Sequence, residues 1–291
     1  MACSAPPLGA DAGSEPDSGR VEADAGSSPD SGMVSDAGGT VDAGGSADAG
    51  TATDAGWLRL GPGTSWQWQL TGTIDTTVDA GVFDLDLFET PQATIDALHA
   101  SGRKVICYFD AAYEPNRPDS TQLAPYRGNP VQGWPGQYWL DFREPVVRAV
   151  MAARFDLAVS KRCDAVEPDD VDAIDNMPGF PLTNADQLDF CRFLAREAHA
   201  RTLGVALKND LAQVADLVGE FDFAVNEECF QYTECDGLLP FIQAGKAVLQ
   251  VEYTAGSLET KAAQICPGAN ALNFDTLIKR LDLGVPRRPC R

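Results

Sequence analysis

The chain has 291 residues, with 43 acidic against 22 basic side chains, a formal net charge of −21, and 44% hydrophobic residues. That charge disfavours nucleic acid and anionic lipid surfaces as partners and favours a cationic ligand. No apolar run reaches the roughly eighteen residues that span a bilayer, so no membrane-spanning segment is expected.

Residues 1–56 repeat Asp-Ala-Gly, from Asp11-Ala12-Gly13 to Asp54-Ala55-Gly56, with Ser, Pro and Thr between and no aromatic residue. So little can be buried there that the ordering entropy is not offset, and a disordered, flexible tether is expected. The chain from 57 onwards keeps an acidic excess of its own. Two readings fit Cys3, behind Met1-Ala2 and ahead of the repeat: the lipidated first residue of a lipoprotein, or an unrelated cysteine.

Residues 57–291 suit one domain of barrel size. Trp66-Gln67-Trp68-Gln69-Leu70 alternates with period two and is the first predicted strand; Val82 to Leu87 is the second. A short helix from Pro91 to Ala100 is closed by Gly102, and Lys104 to Phe109 is the third strand. The connection 111–143, rich in proline, is expected to be a long loop, and such loops are usually functional. It carries Tyr113, Tyr126, Trp134, Tyr138 and Trp139, whose flat faces suit sugar rings. Glu144 to Arg162 is a periodic helix, and the fourth strand begins near Asp164. Asn184 to Leu203 is the next helix, with Asn184 as N-cap and Gly204 past its end. Strands five to seven are Gly204 to Asn209, Phe221 to Asn226 and Ala247 to Glu252, and the eighth falls within 270–275. The pattern is α/β, a (β/α)8 TIM-type barrel.

Cys107 lies mid-strand and is expected to be a buried free thiol. Local placement of the other cysteines suggests the pairs Cys229–Cys235, Cys163–Cys191 and Cys266–Cys290. A zinc site is disfavoured, because no Cys-x-x-Cys occurs and His99 and His199 sit in helical runs. Disulfides imply an oxidising, exported location, extracellular or at the cell surface.

At least six hydrophobic runs finish in polar or acidic groups: Phe83 to Asp86, Ile106 to Asp110, Val166 to Asp172, Ala206 to Asp210, Ala224 to Glu228 and Leu249 to Tyr253. Chemistry collected at the C-terminal ends of successive parallel strands is how this barrel builds a site. Glycoside hydrolysis needs two carboxylates across the scissile bond. Candidates are Asp84, Asp86, Asp110, Glu167, Asp169, Asp170, Glu227, Glu228 and Glu252. Alternation puts Glu167 and Asp169 on one face and Asp170 on the other. Strands four and six are of like parity, so their inward residues approach across the barrel mouth.

The motifs Trp66 to Leu70, Phe83 to Leu87, Val105 to Phe109, Glu114 with Arg117-Pro118-Asp119, Trp139-Leu140-Asp141, Val166 to Asp169, Leu207 to Asp210, Val225 to Glu227 with Cys229 and Cys235, and Val251 to Tyr253 occur in order. Together they resemble glycoside hydrolase family 114, the endo-α-1,4-polygalactosaminidases, over about Trp66 to Cys266. The resemblance implies a (β/α)8 barrel that hydrolyses α-1,4-linked galactosamine polymers without metal or cofactor, with Asp169 and Glu227 as catalytic pair. One departure is Asp170, where the family usually has Asn; an extra carboxylate beside Asp169 would disturb it unless paired. Glu227 is expected to be general acid and Asp169 nucleophile or base. Asp84, Asp86, Tyr108, Asp110, Glu167, Asp170, Lys208, Asn209, Glu252, Tyr253 and Trp139 are expected to bind the partly cationic sugar, with Lys208 as local counter-charge. Two rival readings are a tethered, non-catalytic binder of cationic amino-sugar polymer, and a metal-dependent hydrolase using the acids of 167–172.

Overall fold

The computed structural model describes residues 56–291, and the expected tether up to Ala55, with Cys3, lies outside the described residues. Eight parallel strands follow one another in chain order: β1 (Trp66–Gln69), β2 (Val82–Asp86), β3 (Lys104–Asp110), β4 (Ala165–Asp169), β5 (Gly204–Lys208), β6 (Phe223–Glu227), β7 (Val248–Tyr253) and β8 (Asp275–Lys279). A ninth, β9 (Arg287–Pro289), runs antiparallel on β8. The seam between β8 and β1 is spanned by Trp66 Nε1 donating to the Asp275 carbonyl at 2.8 Å and Leu70 N donating to the Leu283 carbonyl at 3.0 Å. The Lys279 ammonium also reaches Gln67 Oε1 at 3.3 Å across it. The sheet is thereby a nearly closed barrel.

The main helices are α1 (Gln92–Ala100), α2 (Pro145–Ser160), α3 (Asn184–Ala200) and α4 (Leu258–Ala271). Helix α2 begins on a proline, whose missing N–H would lack a partner there anyway, and buries Val147, Val150, Met151, Arg154, Phe155 and Ala158 at helical spacing. The cap of α3 is Thr183 rather than the expected Asn184. Thr183 Oγ1 accepts from Asp186 N while Asp186 reaches back to Thr183 N, a reciprocal box that Asn184 cannot form. The eighth strand also lies later than expected: 270–271 end α4, Asn273 turns the chain at φ 63°, and the strand starts at Asp275. The 111–143 connection is not structureless. It holds a helical turn, Ser120–Leu123, and a hairpin pairing Arg127–Pro130 with Tyr138–Leu140.

Strand alternation sorts the core into two sets. Trp66, Trp68, Ile106, Ala165, Val225, Leu249 and Leu277 fill the barrel, while Phe83, Leu85, Cys107, Phe109, Val166 and Leu207 pack against the helices. The inward register continues upward into Asp84, Tyr108, Asp110, Glu167, Asp169, Lys208, Glu227 and Tyr253. The fold thus stacks polar groups on an apolar plug.

Two of the expected disulfides form, Cys229–Cys235 and Cys266–Cys290. The third is Cys107–Cys163, not Cys163–Cys191, and Cys107 is not free. Cys107 faces outward on β3, and Cys163 lies at the turn into the adjacent β4, which sets their Cα atoms 5.9 Å apart and within bridging range. Cys191 points instead from α3 at Asp210, with its Sγ 3.8 Å from Oδ2. Peptide mapping without reduction should therefore find Cys191 as a free thiol. Cys107→Ser should cost about 2–4 kcal/mol in urea unfolding, because the bridge closes a long loop. A cross-link at Cys191 would contradict the pairing.

Candidate active site

Three neighbouring strands end in the same way. The residues just past β4, β5 and β6 (Asp170, Asn209 and Glu228) have φ of 54°, 49° and 58°. This left-handed backbone turns the chain sharply away and leaves the last inward side chain of each strand at the rim; such strain in non-glycine residues concentrates at functional sites. Asn209 also locks β5 to β6, its Oδ1 accepting from Glu227 N at 3.0 Å and from Asn226 Nδ2 at 3.2 Å.

These turns open onto a cleft with an empty volume of about 680 Å³, lined by Trp68, Leu70, Tyr108, Asp110, Trp134, Gln137, Asp169, Asp170, Asp172, Asn209, Glu227, Tyr253, Leu281 and Leu283. Its floor is Lys208, whose side chain is 1% exposed. The ammonium lies 2.6 Å from Asp169 Oδ2, 3.2 Å from Glu227 Oε2 and 3.5 Å from Glu167 Oε1. Burial alone would lower its affinity for the proton, but the carboxylates beside it, Asp169 first and then Glu227, hold it well above the usual lysine range. Asp169 further accepts from the Tyr108 hydroxyl at 3.1 Å and from Asp170 N at 2.7 Å. Glu227 accepts from the Tyr253 hydroxyl through Oε1. Burial, together with Asp169 for Tyr108 and Glu227 for Tyr253, raises both phenols well above their ordinary range, so both serve as donors.

One wall of the cleft is acidic. Burial first, then Glu114 and Asp169, push Asp110 up to about 7; burial and Asp169 do the same to Asp172. Asp170 is raised well above its usual range by burial and by Asp110, with which it shares a hydrogen bond. The extra carboxylate at 170 is therefore paired. Trp134, 42% exposed, and Leu281 also line the cleft.

The sequence-predicted residues divide accordingly. Asp169, Glu227, Tyr108, Asp110, Asp170, Asn209 and Tyr253 line the cleft, and Lys208 closes its floor. Asp84 and Glu167 are fully buried beneath it. Asp86 is turned away: it accepts from Phe88 N and Glu89 N at 2.7 Å and pairs with Arg117 at 2.7 Å, fixing the loop that follows. Glu252 lies on the outward register of β7 against Lys261, 3.2 Å away. Trp139 is buried in the outer core. Of the loop aromatics, Trp134 lines the cleft, whereas Tyr113 packs edge-on against Tyr138. Sequence reasoning missed Trp68, Leu70, Gln137, Asp172, Leu281 and Leu283 as lining. The inward parity of Trp68 and the place of Asp172 in the acidic run were the available signals; nothing local marked the other four. The histidines are structural, with Nε2 atoms 2.8 Å from Asp164 and 2.9 Å from Asp222, which precede β4 and β6 and so sit at the far end of the barrel. Among the described residues, no group of His, Cys, Asp or Glu is arranged to hold a metal ion, and no helix is long and apolar enough to cross a membrane.

The raised carboxyls set the pH dependence of stability. Asp84, Asp110 and Asp172 near 7, and Asp210 near 8, keep protons in the folded chain that the unfolded chain gives up close to 3.8. Their stabilisation is complete below about pH 4 and is lost as pH rises towards 8; a single group displaced by three units is worth about 4 kcal/mol at most. Urea unfolding should show lower stability at pH 8 than at pH 5. A rise over that interval would contradict the buried acidic cluster.

A search of curated proteins finds no match. Among solved structures, Ega3 of Aspergillus fumigatus, in complex with galactosamine, superposes with a TM-score of 0.76 and 39% identity, covering 80% of this chain and 97% of that one. The glycoside hydrolase domain of PelA from Pseudomonas aeruginosa shares the fold, with a TM-score of 0.62 at 12% identity, covering 77% of this chain and 97% of that domain. The family model described as glycoside-hydrolase family GH114 matches residues 47–291. The carboxylates at the barrel mouth thus have their chemical context: the chain belongs to glycoside hydrolase family GH114 and is a glycoside hydrolase.

Proposed function

We propose that the enzyme cleaves α-1,4-linked galactosamine polymer internally, by a retaining mechanism in which Asp169 is nucleophile and Glu227 acid and base. The observation that carries this is the Lys208 bridge. Its ammonium touches both carboxylates, so Asp169 Oδ2 and Glu227 Oε2 can be no more than about 6 Å apart, near the roughly 5–5.5 Å of retaining enzymes and short of the roughly 6.5–9.5 Å that leaves room for an inverting water. Asp169, held by Lys208, Tyr108 and a backbone N–H, is oriented to attack the anomeric carbon. The Glu227 carboxyl delivers a proton to the departing oxygen, then takes one from the water that releases the glycosyl-enzyme. Net charge is balanced at the floor by one lysine.

The acidic groups Asp110, Asp170 and Asp172 suit the ammonium groups of unacetylated galactosamine, and Trp134 in the same cleft offers a face for a sugar ring. An open cleft lined by both acidic and aromatic groups fits a chain threaded through it better than a single terminal sugar. With both carboxylates in place, a purely binding role is not favoured. Three disulfides support an exported protein; surface attachment through a lipid on Cys3 is part of the proposal, and the mass of the mature protein tests it. The activity is tested by incubating the enzyme with partly deacetylated α-1,4-galactosaminan and sizing products by mass spectrometry. A ladder of oligomers is expected early in the reaction. No cleavage, or release of monosaccharide alone, would overturn the reading.

A further inference from the structure

Below the reacting carboxylates lies a second acidic pair. Asp84 on β2 and Glu167 on β4 are each fully buried, and none of their four carboxyl oxygens has a hydrogen-bond donor from another group. The two share a side-chain hydrogen bond. Two carboxylates can hydrogen bond to each other only through a retained proton, and unpaired buried acceptors are costly. Glu167 Oε1 is also the third carboxyl oxygen around Lys208, at 3.5 Å. The groups facing this place come from every neighbouring strand: Trp68 from β1, Tyr108 from β3, Asp169 from β4, Lys208 from β5, Glu227 from β6 and Tyr253 from β7.

We propose that Asp84 and Glu167 form a proton-holding carboxyl pair that positions Lys208, presenting it with a neutral acceptor from below so that its charge is committed upward to Asp169 and Glu227. If Glu167 were an anion it would compete for the ammonium, and Asp169 would lose part of its counter-charge. Burial favours retention of the proton, pushing Asp84 up to about 7 and, with the charge of Asp84 beside it, holding Glu167 well above the ordinary carboxyl range. Asp84 and Glu167 act through Lys208 and touch no substrate.

The role rests on Asp169 and Glu227 as the reacting pair, but it can be read without turnover. Lys208 Nζ lies 5.0 Å from the centroid of the Trp68 ring, so Trp68 emission, isolated by subtracting the spectrum of Trp68→Phe, reports the lysine. Asp84→Asn supplies an amide donor that lets Glu167 ionise. It should lower kcat on galactosaminan at least tenfold at neutral pH, with KM within about twofold. Adding Glu167→Gln, which cannot ionise, should restore most of the loss. In emission, a change of the wild-type Trp68 signal on passing from pH 6 to 9 should be absent in Glu167→Gln. An unchanged kcat in Asp84→Asn, a double variant no better than the single, or an emission change that persists in Glu167→Gln would each overturn the proposal. If Asp84→Asn does not fold, the Glu167→Gln emission decides; if the wild type cleaves no galactosaminan, the same emission separates this failure from that of the substrate assignment.

Discussion

Asp169→Asn and Glu227→Gln should each abolish most turnover of galactosaminan while leaving the barrel folded and polymer binding within about threefold of wild type. The two losses should differ in kind. Glu227→Gln removes proton transfer to the leaving oxygen, worth about 10²–10⁴-fold, and a substrate with an acidic phenol as leaving group should recover much of it. Asp169→Asn removes the attacking oxygen, so no leaving group helps. Azide added to Glu227→Gln should yield the α-glycosyl azide by replacing water at the second step. Steady-state kinetics on polymer and on an aryl glycoside, with product anomers read by NMR, check both. If the phenol rescues Asp169→Asn instead, the roles are reversed; if either amide variant keeps near wild-type turnover, that residue is not catalytic.

Lys208→Met should be nearly as damaging and should also weaken the fold. The methionine keeps the buried stem but withdraws the positive charge from Asp169 and Glu227 and the donor from Glu167. Breaking a buried pair by removing one partner commonly costs about 3–5 kcal/mol, because the remaining charge is stranded. Without the ammonium, Asp169 also loses the partner that orients its attacking oxygen. A urea midpoint shifted down and a loss in kcat of at least about 100-fold are therefore expected together. Normal kcat in a folded Lys208→Met protein would remove the lysine from the mechanism.

Most of the barrel was legible because its signals are local. Trp66 to Leu70 alternates, α2 repeats its apolar face, and the strand ends change abruptly from apolar to acidic. The place of Asp169 and Glu227 at the barrel mouth was legible for the same reason, since inward parity follows from counting along two strands. Asp86 shows where that reasoning stops. It lies on the same register as Asp84 and ends its strand in an acid, yet it is claimed by Arg117, thirty-one positions away, and by two backbone N–H groups. Glu252 is a plainer failure of parity, because it sits one residue out of register with Tyr253. Cys107 was misread because its partner is set by the pairing of β3 with β4, which sequence proximity does not reveal. The wall made by Leu281 and Leu283 was invisible for a similar reason. That segment is brought to the cleft by the Leu70 to Leu283 backbone bond and by Lys279 donating to the Gly284 carbonyl at 2.8 Å, contacts that no local pattern announces.

The measurement that bears most directly on the account is covalent trapping. A galactosamine oligomer ending in a 5-fluoro-glycosyl fluoride slows the second step of a retaining enzyme and lets the glycosyl-enzyme accumulate. Proteolysis and tandem mass spectrometry should then place one oligosaccharide adduct on Asp169, in the peptide that carries Val166-Glu167-Pro168-Asp169-Asp170, and Asp169→Asn should take up no label. A sugar on Glu227, Glu167 or Asp170, or turnover of the reagent to the inverted β-anomer with no adduct, would contradict the assignment of Asp169 as nucleophile.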